Sequence, residues 1–192
     1  MKTNGRKFGL IVVAAALAVG VYGVSKISPN SDISSRQSKS QYTAPKENPK
    51  PGFHWVTHVV DGDTIDADID GKTERIRLIG IDTPETVDPR KPVQCFGREA
   101  SNKTKEMLTG KEVRLEPDPT QDDRDKYGRL LRYVFLEDGT NYNKWLIAQG
   151  YAHEYTYDIP YKYQTEFKTA ESQARNHSLG LWSPNTCNGV TR

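Results

Sequence analysis

Three short segments that alternate apolar and polar residues constrain the fold more than any other feature of this chain. They span residues 54–60, 64–69 and 74–81, and β-branched residues occupy many of their apolar positions. Alternation with a period of two is typical of half-buried β-strands. Asp61-Gly62 and Asp70-Gly71 separate the segments, and an Asp-Gly pair favours a tight turn between strands. The sequence therefore predicts three successive strands joined by short turns.

Two further strands and three helices are predicted in the rest of the chain. The strands cover residues 112–116 and 130–137, and the helices cover residues 97–108, 141–149 and 161–176. The first helix thus falls between the third and fourth strands. Five short strands with helices in these places favour an α+β fold built on a small Greek-key β-barrel of the OB type.

The first 28 residues have the pattern of a targeting segment. Lys2, Arg6 and Lys7 precede an apolar run at residues 8–24, and a basic start followed by an apolar stretch is typical of an export signal. The run is long for a cleaved signal peptide and marginal for a membrane span. We therefore expect a secreted or extracellular protein that is either released by cleavage or anchored to the membrane by this segment.

Residues 29–52 are predicted to form a disordered linker, because they are rich in Ser, Lys, Asn and Pro and lack periodic apolar positions. The folded domain then spans residues 53–192. Of the net charge of +2, the first 52 residues contribute +6 and the remainder −4. Net charge therefore gives the domain no general attraction for polyanions. Binding of nucleic acid would need local Lys and Arg groups or a bound cation.

The two cysteines, Cys95 and Cys187, lie far apart in the sequence. In an exported chain an even pair favours a disulfide over a reactive thiol or a metal site. Such a bond would fasten the C-terminal segment to the region that follows the third strand. Two unpaired thiols are the alternative.

Short polar motifs follow several of the predicted strands. DGDT stands at residues 61–64, RLIGIDTPET at 77–86, DKYGR at 125–129, YTY at 155–157 and GLW at 180–182. Each is ordinary by itself, since Asp-Gly is a common turn and Thr-Pro-Glu can begin a helix. In this order and spacing, however, the motifs resemble the staphylococcal nuclease (thermonuclease) family, with its SNase-like domain. The likeness extends roughly from the first strand to the GLW motif.

This resemblance implies a function as well as the OB-type barrel. Members of the family are calcium-dependent phosphodiesterases that cleave DNA and RNA, as endonucleases and exonucleases, and leave 3′-phosphate and 5′-hydroxyl ends. The resemblance also assigns the Ca²⁺ ligands, which are the carboxylates of Asp63 and Asp82 and the backbone carbonyl of Thr83. Calcium takes oxygen ligands of this kind.

The resemblance assigns catalytic and substrate-binding residues too. Glu85 would position or deprotonate the attacking water. Arg77 and Arg129 would stabilise the charge on five-coordinate phosphorus through their guanidinium groups. Contacts with phosphates and bases fall to four residues: Lys126, Tyr127, Tyr155 and Tyr157. Tyrosine rings stack on bases with little sequence preference.

Other features of the chain qualify this interpretation. Trp145 and Trp182 match no site motif, so we expect both to pack in the core. An acidic, Pro-rich stretch at residues 116–125 lowers the positive charge beside Arg129, which predicts an affinity for long duplexes and a metal requirement that differ from the family pattern. No extended apolar surface is indicated, so a monomer is expected. The alternative function is a non-catalytic nucleic-acid-binding OB-fold module, although the full set of acids and arginines favours an enzyme.

Overall fold

The computed structural model describes residues 48–90 and 92–191. The predicted targeting segment, and the predicted linker up to residue 47, lie outside the described residues. The elements follow in the order β1 (His54–Val59), β2 (Thr64–Ile69), β3 (Lys72–Leu78), β4 (Ile81–Asp82), α1 (Gly97–Leu108), β5 (Glu112–Glu116), β6 (Leu130–Phe135), α2 (Tyr142–Ala148), β7 (His153–Glu154) and α3 (Gln164–Asn176), and a short 3-10 helix at Gly180–Trp182 ends the series. None of these helices is long and apolar enough to cross a membrane.

Five of the strands form a closed barrel in the order β1-β2-β3-β6-β5. β3 and β6 pair in parallel, whereas the other neighbours in the barrel pair antiparallel. Helix α1 connects the first three strands to β5. The structure therefore confirms the predicted α+β fold with a five-stranded OB-type barrel.

The hairpin between β2 and β3 fixes the register on which the site depends. Asp70 and Gly71 have φ angles of 53° and 81°, and positive φ at both central residues is typical of the type I′ turn that suits a two-residue hairpin. Pairing then runs from Ile69 opposite Lys72 to Thr64 opposite Arg77. The turn thus sets Arg77 beside the segment that contains the DGDT motif.

The predicted strand at residues 74–81 is wrong as one continuous element. The chain turns at Ile79 and Gly80, and β4 leaves the barrel to pair antiparallel with β7. Gly80 has a φ of 77°, and a Cβ at this position would lie 2.7 Å from the ring of Tyr161. A residue with a side chain would therefore be strained here and would collide with a buried ring.

The core fills the barrel and extends under the helices. Its largest fully buried side chains include Tyr133, Tyr142 and Phe167. Asn143 of α2 is also buried; its side-chain oxygen accepts the N–H of Val134 at 2.9 Å and its amide donates to the carbonyl of Ile79 at 2.9 Å. This side chain satisfies backbone groups at the place where the chain turns out of the barrel.

The two tryptophans differ from each other in their packing. Trp145 packs against the core as predicted, and its ring stacks between those of Tyr142 and Tyr151 at 5.8 and 6.0 Å. Trp182 lies outside the main core cluster. It is half-buried, with the guanidinium of Arg175 lying 4.1 Å from its ring centroid. The prediction of core packing thus holds for Trp145 alone.

Helix α3 begins at Gln164, three positions after the predicted start at residue 161. Tyr161 is instead buried, and its hydroxyl donates to the carboxylate of Glu154 at 2.8 Å. Cys95 and Cys187 form the predicted disulfide, with their Cα atoms 5.9 Å apart. This bond joins the residues just before α1 to the C-terminal segment.

Candidate active site

A cavity of about 210 Å³ lies at the edge of the barrel where β2 begins and β3 and β4 end. Its lining residues are Asp61, Asp63, Thr64, Arg77, Asp82, Thr83, Pro84, Glu85 and Arg129. All six residues predicted to bind metal or to act in catalysis are in this list. They come from separate segments of the chain, and the fold brings them together in one cavity.

Asp63 is the most enclosed of the acids in this cavity, with 6% of its surface exposed. Its Oδ2 accepts the backbone N–H and the hydroxyl of Thr83, each at 2.9 Å, and lies 2.8 Å from Nη1 of Arg77. Its Oδ1 accepts the hydroxyl of Thr64 at 3.0 Å. These contacts hold the carboxylate against the start of the segment that follows β4.

Arg77 connects the two predicted metal-binding carboxylates. One terminal nitrogen lies 2.8 Å from Asp63, and the other donates to Oδ1 of Asp82 at 3.3 Å. Its side chain is only 15% exposed, so the guanidinium is held within the cavity wall. Both terminal nitrogens of Arg77 therefore contact carboxylates that line the cavity.

The cavity contains more negative than positive groups. Its lining includes four carboxylates and two guanidinium groups. Burial, followed by the negative charge of Asp63, raises the pKa of Asp61 to about 7. The same two causes raise the pKa of Asp82. Both pKa values are thus raised first by burial and second by the negative charge of Asp63.

The donor set suits a hard cation better than a soft one. Asp63, Asp82 and the Thr83 carbonyl supply only oxygen atoms, which calcium and magnesium prefer. The described residues contain no group of three or more His, Cys, Asp or Glu side chains that could hold a metal ion. A cation here would accordingly rely on two carboxylates and a carbonyl, with water or substrate oxygens completing its ligands.

Glu85 lies on the loop after β4, and its own loop determines where its carboxylate points. Its Oε1 accepts the backbone N–H groups of Thr86, Val87 and Asp88 at 2.7, 2.6 and 3.0 Å. The other oxygen, Oε2, takes part in none of these three bonds. The carboxylate is thus oriented by the backbone of the residues that follow it.

Arg129 is positioned by Asp125 within the DKYGR turn. The Nε of Arg129 donates to Asp125 Oδ2 at 2.7 Å, while Asp125 Oδ1 accepts the backbone N–H groups of Tyr127 and Arg129 at 2.9 and 3.0 Å. Burial opposes the charge of Asp125, but these bonds from Arg129 and Tyr127 lower its pKa below the ordinary value. Asp125 therefore orders both the turn and the guanidinium.

A larger groove of about 600 Å³ adjoins the cavity and shares Arg77, Asp82 and Arg129 with it. All four predicted substrate-binding residues line this groove: Lys126, Tyr127, Tyr155 and Tyr157. Tyr127, Tyr155 and Tyr157 are 73%, 43% and 75% exposed. Their rings are therefore available for stacking, unlike the buried tyrosines of the core.

The small sheet of β4 and β7 places the two tyrosines of the YTY motif beside the acids. Asp82 pairs with His153, and the N–H of Tyr155 donates to the carbonyl of Gly80 at 3.1 Å. The rings of Tyr155 and Tyr157 lie 6.4 Å apart. The break at Gly80 that the sequence did not predict is thus what connects the metal-binding segment to the groove.

Several positioning residues were missed by the sequence interpretation. Asp118 is buried and accepts the hydroxyl of Tyr133 and the backbone N–H of Lys162, so that it ties the acidic stretch to the barrel and to the segment before α3. Asp125 had a usable signal, since it lies four residues before Arg129 in a turn. Gln94, whose side chain accepts the N–H of Glu85 at 2.7 Å, had none.

The acids of residues 116–125 largely pair with cations of the same surface. Glu116 contacts Arg114 and Lys162, Asp123 contacts Arg132, and Asp125 contacts Arg129. The expected difference from the family in duplex affinity and metal requirement remains a prediction. These ion pairs nevertheless reduce the unbalanced negative charge that the sequence alone suggested for this stretch.

Comparison with known proteins identifies the class of enzyme. The thermonuclease of Staphylococcus hyicus is 41% identical over 174 residues, which cover 91% of this chain and 95% of the relative. The thermonuclease of Staphylococcus intermedius is 47% identical over 127 residues, covering 66% of this chain and 74% of the relative. Endonuclease YncB of Bacillus subtilis (strain 168) is 34% identical over 165 residues, covering 85% and 77%.

Fold, site and relatives together define a nuclease, an enzyme that cleaves phosphodiester bonds. The family described as "Staphylococcal nuclease homologue" matches residues 75–184. The chain belongs to this family.

Proposed function

We propose that this nuclease is calcium-dependent, hydrolyses both DNA and RNA by endonuclease and exonuclease cleavage, and leaves 3′-phosphate and 5′-hydroxyl ends. One observation supports this most strongly. The cavity combines four carboxylates with two guanidinium groups and opens into a groove lined by exposed tyrosines. A module that only bound nucleic acid would have no need of so many acids facing a polyanion.

The calcium ligands are Asp63, Asp82 and the backbone carbonyl of Thr83. Their oxygen-only character fits the ion. When bound, calcium would neutralise the carboxylates and polarise a phosphoryl oxygen of the substrate. The protein's contribution is to hold these oxygens in place, which Asp63 does through its bonds with Thr83.

Glu85 positions the water that attacks phosphorus and accepts a proton from it. Its Oε1 is held by three backbone N–H groups, which fixes the carboxylate of a residue that lines the cavity. A carboxylate fixed in this way loses little entropy when it orders the nucleophile.

Arg77 and Arg129 stabilise the negative charge that develops on the equatorial phosphoryl oxygens. They approach the cavity from β3 and from the DKYGR turn, and each is already held by a carboxylate. Preorganised donors of this kind stabilise the transition state without having to reorganise during the reaction. Two separate directions of approach allow more than one oxygen to be contacted.

The groove holds the rest of the substrate. Lys126 contributes charge for a phosphate, while Tyr127, Tyr155 and Tyr157 offer ring faces to bases. Stacking on tyrosine is tolerant of sequence, which is consistent with activity on both DNA and RNA. The acceptance of either sugar then requires no contact that depends on the 2′-hydroxyl.

We further propose that the protein is exported, acts outside the cell as a monomer, and is either released or held at the membrane by residues 1–28. The basic start and apolar run support export. A disulfide in the described part of the chain suits an oxidising compartment. Assay of culture medium and washed membranes for the intact and the shortened chain tests this proposal.

Incubating the purified protein with plasmid DNA, and separately with RNA, tests the proposed activity. We expect cleavage of both with calcium and none after chelation, with activity restored by added calcium. Asp82→Asn is the matched inactive control. The products should accept a labelled phosphate at their 5′ ends without prior dephosphorylation. Cleavage that persists in chelator would remove the calcium assignment, and 5′-phosphate ends would remove the product assignment. Binding without cleavage would favour the non-catalytic module.

A further inference from the structure

We propose that Gln94 is a positioning residue for Glu85 and that the Cys95–Cys187 disulfide holds Gln94 in place. The inference rests on the proposed role of Glu85 in ordering the attacking water. Neither Gln94 nor the disulfide lines the cavity. Their effect on the reaction would therefore be exerted through Glu85.

Gln94 makes two reciprocal hydrogen bonds with the backbone of Glu85. Its side-chain Oε1 accepts the N–H of Glu85 at 2.7 Å, and its own N–H donates to the carbonyl of Glu85 at 2.9 Å. The two residues lie nine positions apart. Gln94 thus satisfies both backbone polar groups of Glu85, as a neighbouring strand would in a sheet.

The backbone of Glu85 in turn determines where its carboxylate points. Oε1 accepts the N–H groups of Thr86, Val87 and Asp88, so the side chain and the following backbone form one hydrogen-bonded unit. A shift of the backbone at Glu85 would therefore move the carboxylate with it. Misplacement of a reacting group by about 1 Å can cost about 100-fold in rate.

Gln94 is itself anchored by its chain neighbours. Cys95 is bonded to Cys187, and its N–H donates to the carbonyl of Thr191 at 3.2 Å. The carbonyl of Gln94 accepts the N–H of Gly97, the first residue of α1, at 3.0 Å. Two contacts with the C-terminal segment and one with α1 thus fix the position of Gln94.

The start of α1 also packs closely against the chain around Glu85. A Cβ on Gly97 would lie 2.7 Å from Cγ2 of Thr86 and 2.9 Å from the carbonyl oxygen of Pro84. The residues on both sides of Glu85 are therefore in contact with the helix that the disulfide fastens. A change at the disulfide can reach Glu85 through this packing as well as through Gln94.

Steady-state kinetics under saturating calcium tests the proposal. We expect Gln94→Ala to lower kcat by about 10-fold to 100-fold, with KM within about threefold of the parent value. Gln94→Glu keeps an acceptor oxygen at the same place and should restore most of the rate. Gln173→Ala, on the exposed face of α3, is the control and should match the parent. A parent-like kcat for Gln94→Ala would overturn the proposal.

A double-mutant cycle separates positioning from a merely structural role. In a Glu85→Ala background, Gln94→Ala should cause no further loss of kcat, because the group it positions is gone. The same fold-loss in both backgrounds would show that Gln94 does not act through Glu85, and would overturn the inference. A parent protein that cleaves nothing with calcium would instead refute the proposed function.

The disulfide is tested on the folded protein. Cys95→Ser with Cys187→Ser, or reduction of the parent below its unfolding temperature, should lower kcat by about 10-fold, and should have no effect in the Glu85→Ala background. Far-UV circular dichroism monitors folding throughout. If Gln94→Ala does not fold, Gln94→Met and the reduced parent provide the same comparison. An unchanged kcat after complete reduction would show that the disulfide does not hold Gln94.

Discussion

The two halves of the active site are built in different ways. In the barrel half, Asp63 immediately precedes β2, Arg77 lies on β3, and their side chains contact each other directly. In the loop half, Glu85 and Arg129 are oriented by hydrogen bonds within their own loops, through backbone N–H groups and Asp125. The contacts that position the barrel half therefore also stabilise the fold, whereas the loop half is held by a few local hydrogen bonds.

This difference determines what a substitution should do. Removing a group from the barrel half leaves buried partners without their hydrogen bonds, and such losses destabilise the folded state. Removing a group from the loop half leaves exposed or local partners that water can satisfy. We therefore expect stability and activity to fall together in the barrel half, and activity to fall alone in the loop half.

The largest effects are expected from Asp63→Ala and Asp82→Ala. Each removes a proposed calcium ligand, so calcium-dependent cleavage should fall by at least about 1000-fold. Only Asp63→Ala should also lower the free energy of unfolding, by roughly 1 to 3 kcal/mol, because it leaves the buried N–H and hydroxyl of Thr83 without their acceptor. The side chain of Asp82 is 56% exposed, so its loss should leave stability close to that of the parent. Cleavage assays and urea denaturation measure the two effects.

Equal stability of the Asp63→Ala and Asp82→Ala variants would contradict the expectation that groups of the barrel half also stabilise the fold. Substantial activity in either variant would remove the metal assignment. The exposed acid Asp158 offers a control, since Asp158→Ala changes a carboxylate of the groove that is not a proposed ligand.

The next effect concerns the arginines, one from each half. Arg77→Lys and Arg129→Lys keep the charge but lose the planar fork, so turnover should fall by about 100-fold to 1000-fold while substrate affinity changes little. Arg77→Lys should in addition destabilise the fold, because Arg77 contacts two carboxylates in the wall. Single-turnover rates and denaturation curves distinguish the variants. Single-turnover rates near that of the parent would end the catalytic assignment.

Much of the barrel could be predicted because its signals are local. The alternating segments and the Asp70-Gly71 turn depend only on residues that are close together in the sequence. The register that they set is sufficient to place Arg77 opposite Thr64. The break at Gly80 could not be predicted from its neighbours. It depends on the ring of Tyr161, which lies 81 positions away in the chain. The burial of Tyr161 also explains why α3 begins at Gln164 rather than at residue 161.

The candidate site shows the same division. The residues proposed to bind metal or to act in catalysis stand in recognisable motifs, so the resemblance could assign Asp63, Glu85 and Arg129 from the sequence. Of the residues that orient them, Asp125 stands in the DKYGR motif, but Gln94 stands in none. Gln94 and Asp118 act through backbone groups of other segments, and contacts of this kind depend on the folded path of the chain.

Substitutions in the groove should affect binding more than turnover. Tyr155→Ala should weaken binding of a single-stranded oligonucleotide by about 1 to 3 kcal/mol through loss of stacking. Tyr155→Phe retains the ring and should bind like the parent. Lys126→Ala should weaken binding in a salt-dependent way, with the exposed Lys168→Ala on α3 as control. Fluorescence anisotropy in a Glu85→Gln background avoids cleavage during the measurement. A larger effect on kcat than on affinity would show that these residues act in catalysis rather than in binding.

The smallest effect on activity is expected from Glu116→Gln, which tests the scaffold alone because Glu116 lines neither cavity. Burial opposes its charge, but Lys162, Arg114 and Tyr163 all donate to its carboxylate and lower its pKa from 4.5 to about 2. A carboxyl group whose pKa is lower in the folded than in the unfolded state stabilises the fold above the unfolded pKa, and loses this contribution as pH falls through the folded pKa. The parent should therefore be more stable than Glu116→Gln near neutral pH, and this difference should shrink below about pH 4.5 and vanish near pH 2.

Urea denaturation across this pH range measures the difference in stability, while calcium-dependent cleavage near neutral pH should not change. A difference in stability that stays constant down to pH 2 would show that Glu116 acts through its shape rather than its charge. A loss of cleavage would show instead that the loop half depends on the contact between the end of β5 and the start of α3.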